Sequence, residues 1–223
     1  PADPTAPLLP TRSPASDDQR ARAAKSDSLD SAVLISGSFL HAVASCAVAG
    51  VLLAEDRAIR GDHIGGASAA SAGLLAFSCG FFAWDAVAVA VREGGERGGG
   101  KAVPIVHHVT CFLLYALGAA GILHYYGAVF ILFELSTPFL NLRNLLRLLH
   151  LESSPLFRLS EILFIITFFA VRVIFGLRMS AQVWRELLPV ALEGRASVVG
   201  QGVALGVLAG NVVANGLNLF WAG

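Results

Sequence analysis

Long runs without a formal charge decide what this chain can fold into. Ser31–Ala54 is 24 residues with no Asp, Glu, Lys or Arg. As a helix it reaches across the roughly 30 Å hydrocarbon core of a bilayer. A second run, about Ala67–Val91, is broken only by Asp85. Ala102–Phe133 adds 32 uncharged residues, too long for one straight crossing at about 1.5 Å per residue. The break falls best at Gly121 and His124-Tyr125-Tyr126-Gly127, where an aromatic pair suited to the membrane–water interface lies beside turn residues. The pattern predicts helices near 103–123 and 128–149. Phe157–Leu177, which carries Arg172, and Ser197–Trp221 complete about six spans with no strand pattern. The expected fold is an all-α polytopic transmembrane helix bundle.

Charge agrees with this. Only 14% of the 223 residues are charged, against about 25% in soluble domains. The 16 basic and 16 acidic residues balance, so no electrostatic footprint points to a nucleic-acid partner. Cys46, Cys79 and Cys111 sit in apolar runs and read as small buried hydrophobes rather than disulfide or zinc ligands. Basic residues near the spans favour the N-terminal face (Arg20, Arg22, Lys25, Arg92, Arg97, Lys101, Arg147, Arg158) over the opposite one (Arg57, Arg60, Arg178, Arg185, Arg195). The positive-inside rule then puts the N-terminal face in the cytoplasm or its organellar equivalent.

Residues 1–28 are a low-complexity tail rich in Pro, Ala, Ser, Asp and Arg. Such a composition cannot bury a core and stays disordered unless a partner clamps it. Residues 29–223 form the membrane domain. The chain starts at Pro1, which fits removal of a targeting peptide. The 92–101 stretch, REGGERGGGK, is flexible by composition.

Ionisable groups at membrane depth are costly, about 2.5–3.5 kcal/mol each on insertion scales, and so mark candidate sites. Here they are Asp85, His107, His108, Glu134, Arg143 and Arg172. In FELSTPFLNLR (133–143), Glu134, Pro138 and Asn141 share one helical face and Arg143 falls on the opposite side. Pro138 lacks a backbone donor, so a kink that frees the Glu134 carbonyl is expected. Glu134 has two readings, a ligand-site acid or a partner of Arg172 or Arg143 that pins two helices. The His107-His108 pair supplies a general base or nucleophile, or else a helix-end histidine satisfied by carbonyl or water. No HxxxH or ExxH spacing signals a metal. Gly202, Gly206 and Gly210 make a doubled GxxxG, beside an Asn211, Asn215 and Asn218 stripe; packing and interhelical hydrogen bonding explain both.

Together FFAWD (81–85), VHHVT (106–110), FELSTPFLNLR (133–143), FFAVRVIFG (168–176) and NGLNLFW (215–221) resemble the TLC-domain family. That polytopic group includes ceramide synthases and the translocating-chain-associating membrane protein. The resemblance covers most of residues 30–223 and lies closer to the non-synthase branches. It implies a helical bundle around a lipid- or acyl-accommodating cavity, with Asp85, His108, Glu134, Asn141, Arg143 and Arg172 as its polar cluster. It implies no cofactor beyond a bound phospholipid or acyl lipid. In ceramide synthases a His pair and downstream aspartates are associated with acyl transfer from acyl-CoA. Here His107 and His108 match, while Phe133-Glu134-Leu135-Ser136 stands where the acidic segment would be.

Three functions follow as expectations. The first is a lipid binder or sensor without turnover, whose partners are membrane lipids. The second is an accessory subunit of a large respiratory or photosynthetic membrane assembly, contacted through residues 1–28. The third is an acyltransferase with His107 or His108 as base and Asp85 or Glu134 orienting it. The family resemblance implies the endoplasmic reticulum; a removed transit peptide would instead imply a mitochondrial or plastid inner membrane.

Overall fold

The structure, a computed structural model, describes residues 17–93, 102–119, 121–192 and 198–222. Side chains of residues 17–25 and of 27, 92, 93, 102, 119, 198 and 199 are not described. Residues 1–16 of the tail, on which the assembly expectation partly rests, lie outside the described residues, as do 94–101 of the Gly-rich loop.

Among the described residues the chain is helical throughout, with no strand. The elements are α1 (Asp17–Glu55), α2 (Arg57–Gly61), α3 (Ala69–Glu93), α4 (Ala102–Ala119), α5 (His124–Ile131), a 3₁₀ segment (Leu132–Ser136) and α6 (Thr137–Leu148). These are followed by α7 (Pro155–Thr167), a π-helical segment (Phe168–Phe175), α8 (Gly176–Leu192) and α9 (Val198–Ala222). Five runs are long and apolar enough to cross a membrane: Ser28–Glu55, Ala69–Val91, His124–Leu148, Pro155–Leu192 and Gly200–Ala222. Val103–Gly118 is a shorter apolar helix. Together they make the six-span bundle.

Burial is inverted relative to a soluble protein. Val43, Val51, Phe77, Val87, Ile166, Ile174 and Phe220 point outward, whereas Ser45, Ser71, Ser78, Ser160, Asn211 and Asn218 are buried. Apolar side chains lose nothing by facing lipid tails, and polar ones find partners only inside. Inside, Leu75, Phe82, Tyr115 and Ile131 form one apolar cluster. Val129, Met179, Val183, Leu187 and Leu208 form another.

The first helix begins at Asp17, inside the tail expected to be disordered to residue 28, and three further boundaries differ from the sequence expectation. First, the second half of the long apolar run restarts at His124 rather than near 128. Gly121 takes φ +101° and Leu123 φ +61°, and the Leu123 amide donates to the Ile64 carbonyl at 2.7 Å. That bond and the burial of its side chain hold a non-glycine residue in the left-handed region.

Second, Pro138 does not free the Glu134 carbonyl. A 3₁₀ segment precedes it, and the Thr137 amide donates to that carbonyl instead. Pro138 then sits in the first turn of α6, where its missing donor costs little.

Third, the fifth span does not stop at Leu177 but continues to Leu192. Its last stretch is amphipathic: Met179, Val183 and Leu187 are buried while Arg178 and Arg185 face out. Alternation of arginines with apolar residues interrupts the hydropathy without interrupting the helix.

Candidate functional site

Polar residues on α3, α4, the 3₁₀ segment, the π segment and α9 converge toward the end of the bundle where α3 finishes and α4 begins. On α3, Phe82 stacks on Tyr115 of α4, ring centroids 5.5 Å apart, and holds the two helices in register. Asp85, about one turn along, thereby meets α4: His108 Nε2 lies 3.2 Å from Asp85 Oδ2. The other ring nitrogen, His108 Nδ1, is buried without a protein partner. His107 turns toward α9, edge-on to Trp221 with centroids 5.1 Å apart.

The second pair is Glu134 and Arg172. Glu134 leaves the 3₁₀ segment, and Arg172 lies mid-way along the π segment. A π segment inserts residues into an α-helical run and re-aims its side chains. Arg172 points inward and is 8% exposed, Glu134 7%. Nη2 of Arg172 is 3.3 Å from Glu134 Oε1. Its Nε donates to Ser136 Oγ at 3.1 Å and its Nη1 to Asn218 Oδ1 at 3.4 Å. Thr137 Oγ1 donates to the second Glu134 oxygen at 2.7 Å. Both charges are paired and hydrogen-bonded, the condition under which burial is tolerable.

Two cavities meet at these residues. A vestibule of about 560 Å³ is lined by Asp85, His107, His108, Glu134, Asn141 and Arg172, with apolar walls from Phe81, Phe164 and Phe168. A second, smaller cavity of about 80 Å³, termed the tunnel, is lined by Leu114, Phe130, Val207 and Ala214 together with Leu75, Gly118, Leu123 and Gly127. His107, Glu134 and Arg172 line both, so they mark the junction. In the vestibule, Asn141 Nδ2 joins His108 Nδ1 as a buried polar atom without a protein partner.

The structure therefore gathers Asp85, His107, His108, Glu134, Asn141 and Arg172 around one space. Arg143 turns the other way: its Nε donates to Glu161 Oε1 of α7 at 3.0 Å, and its guanidinium lies over Phe157. Asn211 and Asn215 bind Ser180 of α8, an interhelical tie that also faces the tunnel. Of the GxxxG glycines, Gly210 meets Leu114, where an added Cβ would come within 2.7 Å, while Gly202 and Gly206 have nothing within 4 Å. Among the described residues no group of three His, Cys, Asp or Glu is placed to hold a metal ion.

Sequence reasoning missed several partners. Ser136 and Thr137 were legible in principle, two and three positions after Glu134. The His41–Ser78 contact at 3.2 Å, with His41 stacked on Phe81, joins residues on α1 and α3 whose pairing no local pattern announces. At the opposite end of the bundle, His63 Nδ1 lies 3.1 Å from Glu186 Oε1, and Asp56, Ser68, Ser71 and His124 form a hydrogen-bonded chain. Ser68 and the backbone amides of Ala58 and Ile59 hold the Asp56 carboxyl below its ordinary range.

The TLC domain family model matches residues 36–223. An uncharacterised TLC domain-containing protein of Schizosaccharomyces pombe is 29% identical over 162 residues, covering 72% of this chain and 52% of that protein. One of Saccharomyces cerevisiae is 29% identical over 152 residues, 66% of this chain and 45% of that protein. The chain thus spans about half the length of these curated relatives. No solved structure matches.

Proposed function

The chain belongs to the TLC-domain family of integral membrane proteins, and on that footing we propose that it binds a single-chain lipid, head group in the vestibule and acyl chain in the tunnel. The observation that carries this is the shared lining: His107, Glu134 and Arg172 border both the vestibule, with its several polar side chains, and the mainly apolar cavity beside it. Apolar lining with a few convergent polar groups is the make-up of a ligand site. His108 Nδ1 and Asn141 Nδ2, both buried and unpartnered, supply hydrogen bonds that only an occupant or water completes.

Charge at the junction limits the head group. Glu134 and Arg172 cancel and Asp85 adds a further carboxyl to the lining, so an anionic head gains nothing here. An ester, amide or hydroxyl head suits the site.

The test is the lipid retained after gentle purification. Ala214 lines the tunnel, and Ala214→Phe fills it. Mass spectrometry should find a defined lipid on the wild type, depleted about tenfold in the variant, a ratio of roughly 1.4 kcal/mol. Equal lipid on both, or none on the wild type, contradicts the reading.

A second reading is acyl transfer, favoured by the His108–Asp85 geometry. Asp85 orients the ring through Nε2, leaving Nδ1 to take a proton from an attacking hydroxyl or amine. That nucleophile bonds to the acyl carbonyl carbon, and the thiol of a thioester donor leaves, receiving the proton. His108→Gln should abolish such transfer outright, whereas loss of one head-group hydrogen bond weakens lipid retention only severalfold; unchanged transfer sinks this reading. Residence in the endoplasmic reticulum accords with the family, and imaging of the tagged chain tests it.

A further inference from the structure

One wall of the tunnel is not apolar. Asn211, Asn215 and Asn218 of α9 all line it, and in two of them the side-chain oxygen has a protein donor. Asn218 Oδ1 accepts from Arg172 at the junction. Asn211 Oδ1 accepts from Trp184 Nε1 at 3.2 Å, and its Nδ2 donates to Ser180 Oγ at 3.1 Å. Asn215 is different. Its Nδ2 reaches three acceptors, Ser180 Oγ at 2.8 Å, the Asn211 carbonyl at 2.8 Å and Asn211 Oδ1 at 3.1 Å. Those contacts fix the amide's orientation, because flipping it would set an oxygen against two oxygens. Asn215 Oδ1 is left buried with no protein partner.

An acceptor of this kind is completed by a hydroxyl or N–H, and a plain methylene chain leaves it unsatisfied. Its depth is set by the helix. Asn215 is three residues, about 4.5 Å of rise, inward from Asn218 and so from the junction with Arg172. A donor at that height sits within the first few carbons below the head group.

Resting on the lipid-binding reading above, we propose that the tunnel recognises an acyl chain hydroxylated near its head, with Asn215 Oδ1 accepting the hydroxyl proton. Chains hydroxylated far from the head place their donor beyond Asn215 and gain nothing from it.

The experiment uses the purified full chain in nanodiscs and competition against radiolabelled methyl palmitate. The competitors are methyl palmitate, methyl 3-hydroxypalmitate and methyl 16-hydroxypalmitate. The 3-hydroxy ester should bind about tenfold more tightly than the other two, the ratio expected of one good buried hydrogen bond. Asn215→Leu should erase that preference, the 3-hydroxy ester then binding no better than methyl palmitate, and circular dichroism reports whether the variant is folded. If Asn215→Leu fails to bind any ester, the wild-type ratios alone decide. Equal affinity for the three esters overturns this inference and leaves the lipid-binding reading standing, as does an equal preference for the 3- and 16-hydroxy esters. Binding of no ester by the wild type overturns both.

Discussion

Arg172 and Glu134 lie 3.3 Å apart where two departures from the α-helix face each other, a π segment on one side and a 3₁₀ segment on the other. Each departure turns its charged residue inward. Ser136, Thr137 and Asn218 absorb the remaining donors and acceptors. The pair thus ties three spans together at the point where vestibule becomes tunnel.

Removing one partner of this pair should be severe. Glu134→Gln leaves Arg172 buried without its counter-charge, and about 3–5 kcal/mol of stability should be lost. The double variant Glu134→Gln/Arg172→Gln should recover a substantial part. Thermal unfolding in detergent, read as a double-mutant cycle, checks this; additive losses would show that the two residues do not interact.

Leu75 lines the tunnel between two glycines, where it can serve as the end wall. A Cβ on Gly127 would come within 2.5 Å of Leu75 Cδ2, and one on Gly118 within 2.9 Å of Cδ1. Gly127→Ala should push Leu75 aside at a cost of about 1–3 kcal/mol and shorten the tunnel. Retained lipids should shift toward shorter chains, and adding Leu75→Ala should reverse the shift. An unchanged chain-length distribution by mass spectrometry would count against Leu75 as the end wall.

Asp56 caps α2, its Oδ1 accepting from the Ala58 amide at 3.0 Å, and its carboxyl is held low chiefly by the Ser68 hydroxyl. A depressed folded value means the ionised form stabilises the fold. That contribution is complete above the ordinary Asp range near about 3.9 and fades as pH falls through the lowered folded value. The melting-temperature gap between wild type and Asp56→Asn should therefore be constant above about pH 5 and close on stronger acidification. A gap that widens in acid would reverse the assigned sign.

How much of this was readable from sequence follows from what each feature depends on. The spans were legible because uncharged runs of more than twenty residues admit few alternatives. Asp85, Glu134 and Arg172 stood out because charges are rare at that depth. Their pairing was half legible: Arg172 stood beside Arg143 as a candidate for Glu134, and the choice depends on helix phase, which the 3₁₀ and π segments shift without a strong local signature. Pro138 shows the same limit: the missing donor was visible, but its relief by the Thr137 amide was not. The length of the fifth span was hidden because Arg178 and Arg185 read as a loop, although they lie on the outer face of α8.

The central claim is an acyl chain in the tunnel between α4, α5 and α9. Photolabelling with a palmitoyl ester bearing a diazirine near its chain end tests it most directly. Under this account the label falls on tunnel residues such as Leu114, Phe130 and Val207, and excess unlabelled ester competes it away. Label confined to outward residues such as Leu40, Val51 and Ile174, insensitive to competition, would contradict it.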